Sequence, residues 1–210
     1  MFEEMAKLAG AVTHEVRDAE RDGKPVRIVA AARDYDTTIE DLWNAITSAE
    51  RLKRWFAPVS GDFKLGGRYS IEGNASGTIT RCEPPRALDL TWEFGPGVSW
   101  VEVVLRSVGA GVRLELRHIA PVDPHWEMYG AGAAGVGWDL GLMGLARHIA
   151  NPAAEKPPEA DPAWMGSAEA KHFIRLSSSG WGDAEVAAGG EEAAARAAAE
   201  ATRKFYSGEA

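Results

Sequence analysis

The sequence predicts an α+β fold in which a curved antiparallel sheet closes around one long helix, with an added helical tail. Three observations predict it. From residue 60 to 119 apolar side chains recur with a period of two, in short runs separated by Gly, Pro or Asn, as in an antiparallel meander. Residues 130–149 then read GAGAAGVGWDLGLMGLARHI, a proline-free stretch that is apolar on more than half of a helical circumference. At residue 151 the composition shifts to NPAAEKPPEADP, with four prolines in twelve residues, ahead of an Ala-rich end.

Each element follows in order. Residues 2–9 allow one or two helical turns. Val12, His14 and Val16 alternate with polar neighbours, and Asp22-Gly23-Lys24-Pro25 reads as a turn before the strand RIVAAAR at 27–33. Thr37 or Thr38 can cap the next helix, because a hydroxyl accepts from the orphan N–H groups of a first turn. In that helix Ile39, Leu42, Trp43 and Ile46 repeat at helical spacing. Ser48 is the expected cap of a second short helix, with Leu52, Trp55 and Phe56 on one side and Pro58 as its stop. Strands are predicted at 68–73, 76–82, 87–94, 99–106 and 112–118. Leu88, Leu90, Trp92 and Phe94 share one face, as do Val112, Leu114, Leu116 and His118. A loop is expected over 120–130. The helix from Gly130 to Ile149 would be roughly 28 Å long at 1.5 Å per residue, enough to cross a sheet.

This order is that of a helix-grip domain. The predicted boundaries are an N-terminal helix and strand extension over 1–26, the helix-grip domain over 27–150, a Pro-rich linker over 151–162 and a helical extension over 163–210. In the extension one helix is expected from Pro162 to about Ser178 and a break at Gly180-Trp181-Gly182. A second is expected over about 190–206, with Ala194, Ala197, Ala201 and Phe205 on one face. Trp164, Phe173, Ile174, Trp181, Phe205 and Tyr206 supply apolar anchors, for packing on this chain or on a partner.

Composition narrows the function. A net charge of −8 and a pI near 5.2 argue against non-specific binding to nucleic acid or an anionic membrane. Cys82 is the one cysteine, so no internal disulfide forms. The start MFEEMAKLAGAV has two early acids and no long apolar run, unlike a secretory signal, and no run approaches a membrane span. A cytoplasmic protein is expected, in which the sequon at Asn74-Ala75-Ser76 is coincidence.

Several motifs have plainer readings. Gly130-Ala131-Gly132-Ala133-Ala134-Gly135 matches G-x-G-x-x-G, but no strand precedes it and no parallel strand follows, so no nucleotide cofactor is expected. A steric account is better: these glycines, with Gly137, Gly141 and Gly144, strip volume from a helix facing a sheet. Each interior glycine costs about 0.5–1 kcal/mol against alanine, so close packing or a reserved void must offset the cost. His14, His118, His125, His148 and His172 show no ligand spacing, and no metal is expected. Glu93, Glu102 and Glu115 alternate onto the solvent face. Trp55 and Phe56 anchor the helix pair, and the adjacent Arg51, Lys53 and Arg54 could instead meet an acidic partner.

Four stretches carry a resemblance: TIEDLWNAITSAERLKRWFAPV (38–59), GDFKLGGRYSI (61–71), GTITRCEPPRALDLTWEF (77–94) and VRLELRH (112–118). In this order they resemble the START-like (SRPBCC) superfamily, in its heat-shock-protein-90 ATPase activator-like group. Val112 stands where that pattern has threonine. The FYSG tail resembles an extension of bacterial members. The resemblance implies a helix-grip fold with an apolar cavity and no single reaction, since members include chaperone activators, lipid carriers and cyclase-like enzymes. The eukaryotic activators carry a separate N-terminal domain, without a counterpart in residues 1–26.

The expected cavity lining is Tyr69, Ile71, Leu90, Trp92, Leu114, Leu116, His118, Trp138 and Leu142, an apolar enclosure with few polar groups. The same side chains could simply fill a core. His118 is the candidate base or hydrogen-bonding group, and equally a satisfied strand-end histidine. Three functions compete. The first is binding of a small hydrophobic molecule, without required catalysis. The second is a protein-interaction or chaperone ATPase co-activator module, acting through the C-terminal helices, with a homodimer allowed. The third is a cyclase- or hydrolase-like enzyme using His118 with Tyr69.

Overall fold

The period-two runs form one eight-stranded sheet in the computed structural model, which describes residues 2–154 and 162–209. The strands are β1 Thr13–Arg21, β2 Lys24–Tyr35, β3 Val59–Gly61, β4 Arg68–Ile71, β5 Ser76–Glu83, β6 Ala87–Phe94, β7 Gly97–Val108 and β8 Gly111–Pro121. Their order is β1-β2-β8-β7-β6-β5-β4-β3, and β3 to β8 pair antiparallel, each with its successor. The helices among the described residues are α1 Phe2–Gly10, α2 Ile39–Thr47, α3 Ala49–Trp55, α4 Pro124–Tyr129, α5 Gly132–Ala150, α6 Ala168–Ala187 and α7 Glu192–Ser207. This is the helix-grip α+β class. Most of the linker expected over 151–162 lies outside the described residues.

Local chemistry explains the boundaries. Asp22 and Gly23 both take positive φ (52° and 73°), the geometry that lets a two-residue turn join β1 to β2. Of the two candidate caps for α2, Thr38 is used: its hydroxyl accepts from the Asp41 N–H at 3.2 Å. Ser48 occupies the cap position of α3, but its side chain makes no cap bond there. The loop expected over 120–130 is instead the end of β8 followed by α4. Asp123 caps that helix through the Trp126 N–H at 2.9 Å, with Pro124 at the position where its missing N–H costs nothing. Strand β3, only three residues long, was too short to show a period.

The described residues form two compact units. One holds residues 2–31, 120–143 and 162–209, and the other holds 32–119 and 144–154.

In the first unit, Met5, Ala9, Met143 and Phe173 make a core, with Leu8, Leu140, Trp164 and Leu176 packed against it. Helix α6 packs on α1 and β1, and α7 packs on α6 and α4, so both tail helices dock on their own chain. Two expectations are corrected here. First, α6 runs through Gly180-Trp181-Gly182 without a break, and a single 3-10 turn, Pro162–Gly166, precedes it. The glycines are places of close approach: a Cβ on Gly180 would lie 2.8 Å from the His14 ring, and one on Gly182 would lie 3.1 Å from Ala199 Cβ. Second, the buried side of α7 carries Ala195 and Thr202, while Phe205 is exposed. In an Ala-rich helix apolar spacing marks no face. Polar contacts choose it: Thr202 Oγ1 donates to the Tyr129 carbonyl at 2.7 Å, and the Tyr206 hydroxyl to the Ala133 carbonyl at 2.9 Å.

Several glycines in and just before α5 are also places of close packing, and against helices rather than a sheet. A Cβ on Gly132 would meet Thr202 at 2.9 Å, and one on Gly130 would meet Ala198 at 3.2 Å. On Gly135 it would fall 2.2 Å from Trp181 Cε2 and 2.4 Å from Nε1. Gly135→Ala gains helix propensity of about 0.5–1 kcal/mol but drives a methyl into a buried ring. A net loss of about 1–3 kcal/mol is expected in urea titration, as for other overpacked cores. Gly166→Ala, where nothing lies within 4 Å, is the control and should change little.

In the second unit the Trp55 indole N–H donates to the Ala45 carbonyl at 3.0 Å, joining α2 to α3. Gly144 opens room for this pair, since a Cβ there would lie 2.6 Å from the Trp55 carbonyl oxygen. Arg51 ties the corner further, with Nη1 on Asp41 Oδ1 at 2.6 Å and Nε on His148 Nε2 at 3.0 Å. That hydrogen bond lowers the Asp41 pKa, and burial with the nearby Arg51 and Arg54 charges lowers that of His148.

Candidate functional site

Sheet register assembles the apolar wall of the second unit. Ile79 faces Leu90, Leu90 faces Val101, and Val101 faces His118, so four strands contribute one row. The next row runs Leu88, Val103, Leu116, and beyond it Leu105 faces Leu114. Tyr69, Ile71 and Ile79 are buried together, with Phe56, Leu90 and Trp92 packed against them. Seven of the nine expected lining residues therefore belong to this unit: Tyr69, Ile71, Leu90, Trp92, Leu114, Leu116 and His118. Trp138 and Leu142 belong to the other unit, Leu142 buried and Trp138 half-buried.

The opposite face of the strands is polar, as alternation requires. Glu93 is held by Arg68 at 2.9 and 3.0 Å, and Glu115 by Arg117. Glu102 lies 3.9 Å from Arg117. These carboxylates are ion-paired surface groups.

His118 is the polar member of the wall and is buried. Its Nε2 lies 2.8 Å from Ser99 Oγ, and Ser99 Oγ donates to the Trp92 carbonyl at 3.3 Å. With the hydroxyl proton on that carbonyl, the imidazole must donate through Nε2–H. The Trp92 ring meets the His118 ring edge-on at 6.0 Å. Burial pushes the His118 pKa from 6.5 down to about 4, so the ring is neutral at physiological pH. The Tyr69 hydroxyl donates to the Thr91 carbonyl at 2.7 Å, and burial raises its pKa. Tyr69 and His118 are thus turned to different partners, unlike an acid–base pair. Ser99 was missed from sequence because a serine between Val98 and Trp100 carries no signal; only the pairing of Ser99 with Trp92 puts it beside His118.

A second polar centre, also missed, lies in the first unit. Asp139 is 1% exposed and accepts from Ser177 Oγ at 2.5 Å and Trp181 Nε1 at 3.1 Å. His14 Nε2 is 2.9 Å from Asp139 Oδ2, and its ring stacks on Trp181 with centroids 4.2 Å apart. Serine and histidine both point at the carboxylate rather than at each other, so the trio lacks the Ser-to-His contact of a nucleophilic triad. It fastens β1, α5 and α6.

Among the described residues no group of three or more His, Cys, Asp or Glu could hold a metal ion, and no helix is long and apolar enough to cross a membrane.

The family model described as Activator of Hsp90 ATPase homolog 1-like protein matches residues 36–150. The chain is similar to CalU16 from Micromonospora echinospora at 28% identity. The CalU16 crystal structure has a TM-score of 0.66, with 83% of this chain and 98% of that one covered. For its solution structure the TM-score is 0.69, with 85% and 97% covered. DynU16, from the dynemicin biosynthetic locus, shares the fold at 21% identity and a TM-score of 0.54, covering 61% of this chain and 48% of that one. So does the Aha1 dimer from Colwellia psychrerythraea, at 14% and 0.53, covering 60% and 98%. No curated protein sequence matches.

Proposed function

The chain belongs to the Activator of Hsp90 ATPase homolog 1-like family, and from that premise we propose that it binds a small hydrophobic molecule on the apolar sheet face around His118. One observation carries the reading: a neutral, buried histidine, fixed by Ser99, stands in a wall otherwise made of Leu90, Val101, Leu116, Trp92 and Tyr69. An apolar surface with one oriented polar group is the usual form of a small-molecule site. A purely structural histidine would add little to a core that leucine fills as well. Location near biosynthetic genes is stated for DynU16 alone, and it agrees with a small-molecule role without specifying one.

The test is a melting-temperature screen of the purified chain against alkyl and polycyclic probes, paired with native mass spectrometry of whatever co-purifies. A ligand at a hundred times its Kd stabilises by about 2.7 kcal/mol. That should raise Tm by roughly 5–10 °C in a chain of this size. His118→Phe should reduce the shift while leaving the unliganded protein folded. No shift with any probe, and no bound mass, would sink the reading. The family name motivates a second reading, a chaperone ATPase co-activator. Under the ligand-binding reading, adding the chain leaves the steady-state rate of a purified Hsp90 unchanged; a several-fold stimulation would give the second reading precedence.

A further inference from the structure

One row of the apolar wall is open where its neighbours are closed. On β6, Leu88, Leu90 and Trp92 share the wall face, and each is only half-buried. The flanking rows are covered: Ile79 of β5, facing Leu90, is 6% exposed, and Val101 of β7, on the other flank, is 2% exposed. Protein interiors pack without voids, so a middle strand in a filled core would be covered as fully as its neighbours. Half-open between two closed rows, β6 is the floor of a trough. At one end Phe94, the next residue on this face, is 63% exposed. At the other end Leu88 faces Cys82, a half-buried free thiol. From Trp92 to Leu88 is about 13 Å at the rise of a strand.

Ser99 marks the Phe94 end, where it pairs with Trp92 and is half-buried. A serine hydroxyl has one proton and two lone pairs. The proton goes to the Trp92 carbonyl at 3.3 Å, and one lone pair takes the His118 N–H at 2.8 Å. Reversing the imidazole tautomer would only send that proton to His118 instead. Either way Ser99 has acceptor capacity to spare and no proton to give. The wall-face residues of β6, Leu88, Leu90, Trp92 and Phe94, are all apolar, so an ion lying on them would lose its hydration without compensation.

We propose that the bound molecule is an elongated, uncharged amphiphile, with a hydroxyl that donates to Ser99 Oγ and an apolar body lying along β6 toward Leu88 and Cys82. The inference rests on the ligand-binding reading above. It adds the ligand's length, its direction and the hydrogen-bonding sense of its head.

The experiment titrates the full chain at pH 7.5 by calorimetry with 1-hexanol, 1-octanol, 1-decanol and 1-dodecanol. Methyl nonyl ether, which has the atoms of decanol but no donor, is the matched control. Each added pair of methylenes should tighten binding about tenfold up to decanol, whose extended length matches the trough, and dodecanol should gain nothing more. Decanol should bind about fivefold more tightly than the ether, as for one net hydrogen bond. In Ser99→Ala that preference should vanish. Alkylation of Cys82 by iodoacetamide, followed by mass spectrometry, should slow several-fold under saturating decanol and not under saturating hexanol. Should Ser99→Ala fail to fold, the wild-type ratio of decanol to ether still decides. An ether that binds as tightly as decanol overturns the donor head. Affinity that keeps rising through dodecanol, or a Cys82 that decanol leaves unprotected, overturns the placement along β6. Each of these leaves hydrophobic binding intact. Binding of no member of the series, with no co-purified ligand, removes both readings.

Discussion

Asp139→Ala is expected to lower the unfolding free energy by about 3–5 kcal/mol, because it removes the shared acceptor of several buried donors at once. The carboxylate is 1% exposed and receives donors from two other elements: His14 of β1, and Ser177 and Trp181 of α6. Truncation strands the Ser177 and Trp181 donors away from water and takes the acceptor from the part-buried His14. Each buried polar group left without a partner costs about 1–3 kcal/mol, so the loss is larger than one hydrogen bond. The methyl group also leaves a gap beside Trp181, which is itself nearly inaccessible. Asp139→Asn keeps the volume and one acceptor oxygen, but it turns an amide N–H toward a donor, and an intermediate loss is expected. Urea titrations followed by tryptophan fluorescence measure both. A cost below about 1 kcal/mol for the alanine variant would show that the trio does not hold α6 in place.

Acid should destabilise the protein through His118. In the unfolded chain the imidazole has its ordinary pKa of 6.5, and in the folded protein burial holds it at about 4. Above pH 6.5 the ring is neutral in both states, and its contribution to stability is fully present. As pH falls from 6.5 toward 4 the unfolded chain takes up a proton that the folded protein refuses, so stability is lost. Below about 4 both are protonated and this group causes no further change. The interval corresponds to about 3 kcal/mol. His148, whose pKa is also lowered, adds a loss of the same sign. His118→Gln keeps a donor for Ser99 but cannot titrate. Its urea midpoints at pH 7.5, 6.5, 5.5 and 4.5 should therefore fall less than those of the wild type. Parallel profiles for the two proteins would mean that His118 is hydrated or already paired with charge.

Much of the fold was legible because alternation survives burial. The pattern of Val112, Leu114, Leu116 and His118 told which side of β8 is dry, and the structure buries all four. The tail was less legible. Gly180-Trp181-Gly182 reads locally as a break, since glycine weakens a helix. The helix persists because Trp181 is buried, with its N–H on Asp139 and its ring seated where Gly135 has no side chain. Likewise the spacing of alanines in α7 could not reveal a buried face that two hydroxyls select.

The candidate site divides along the same line. Residue type and period by themselves determined the helix-grip class, the apolar wall and the place of His118 on it, because each depends on neighbours two or four positions away. The partners of His118 and the Asp139 trio were decided only by tertiary structure. Ser99 is 19 residues from His118, and Ser177 is 38 from Asp139. The same distance hid the role of the α5 glycines, which first suggested missing volume beside a sheet. At Gly132 and Gly135 that volume is taken up by Thr202 and Trp181. No local pattern records such a contact, since strand register and helix packing set it after the elements have formed.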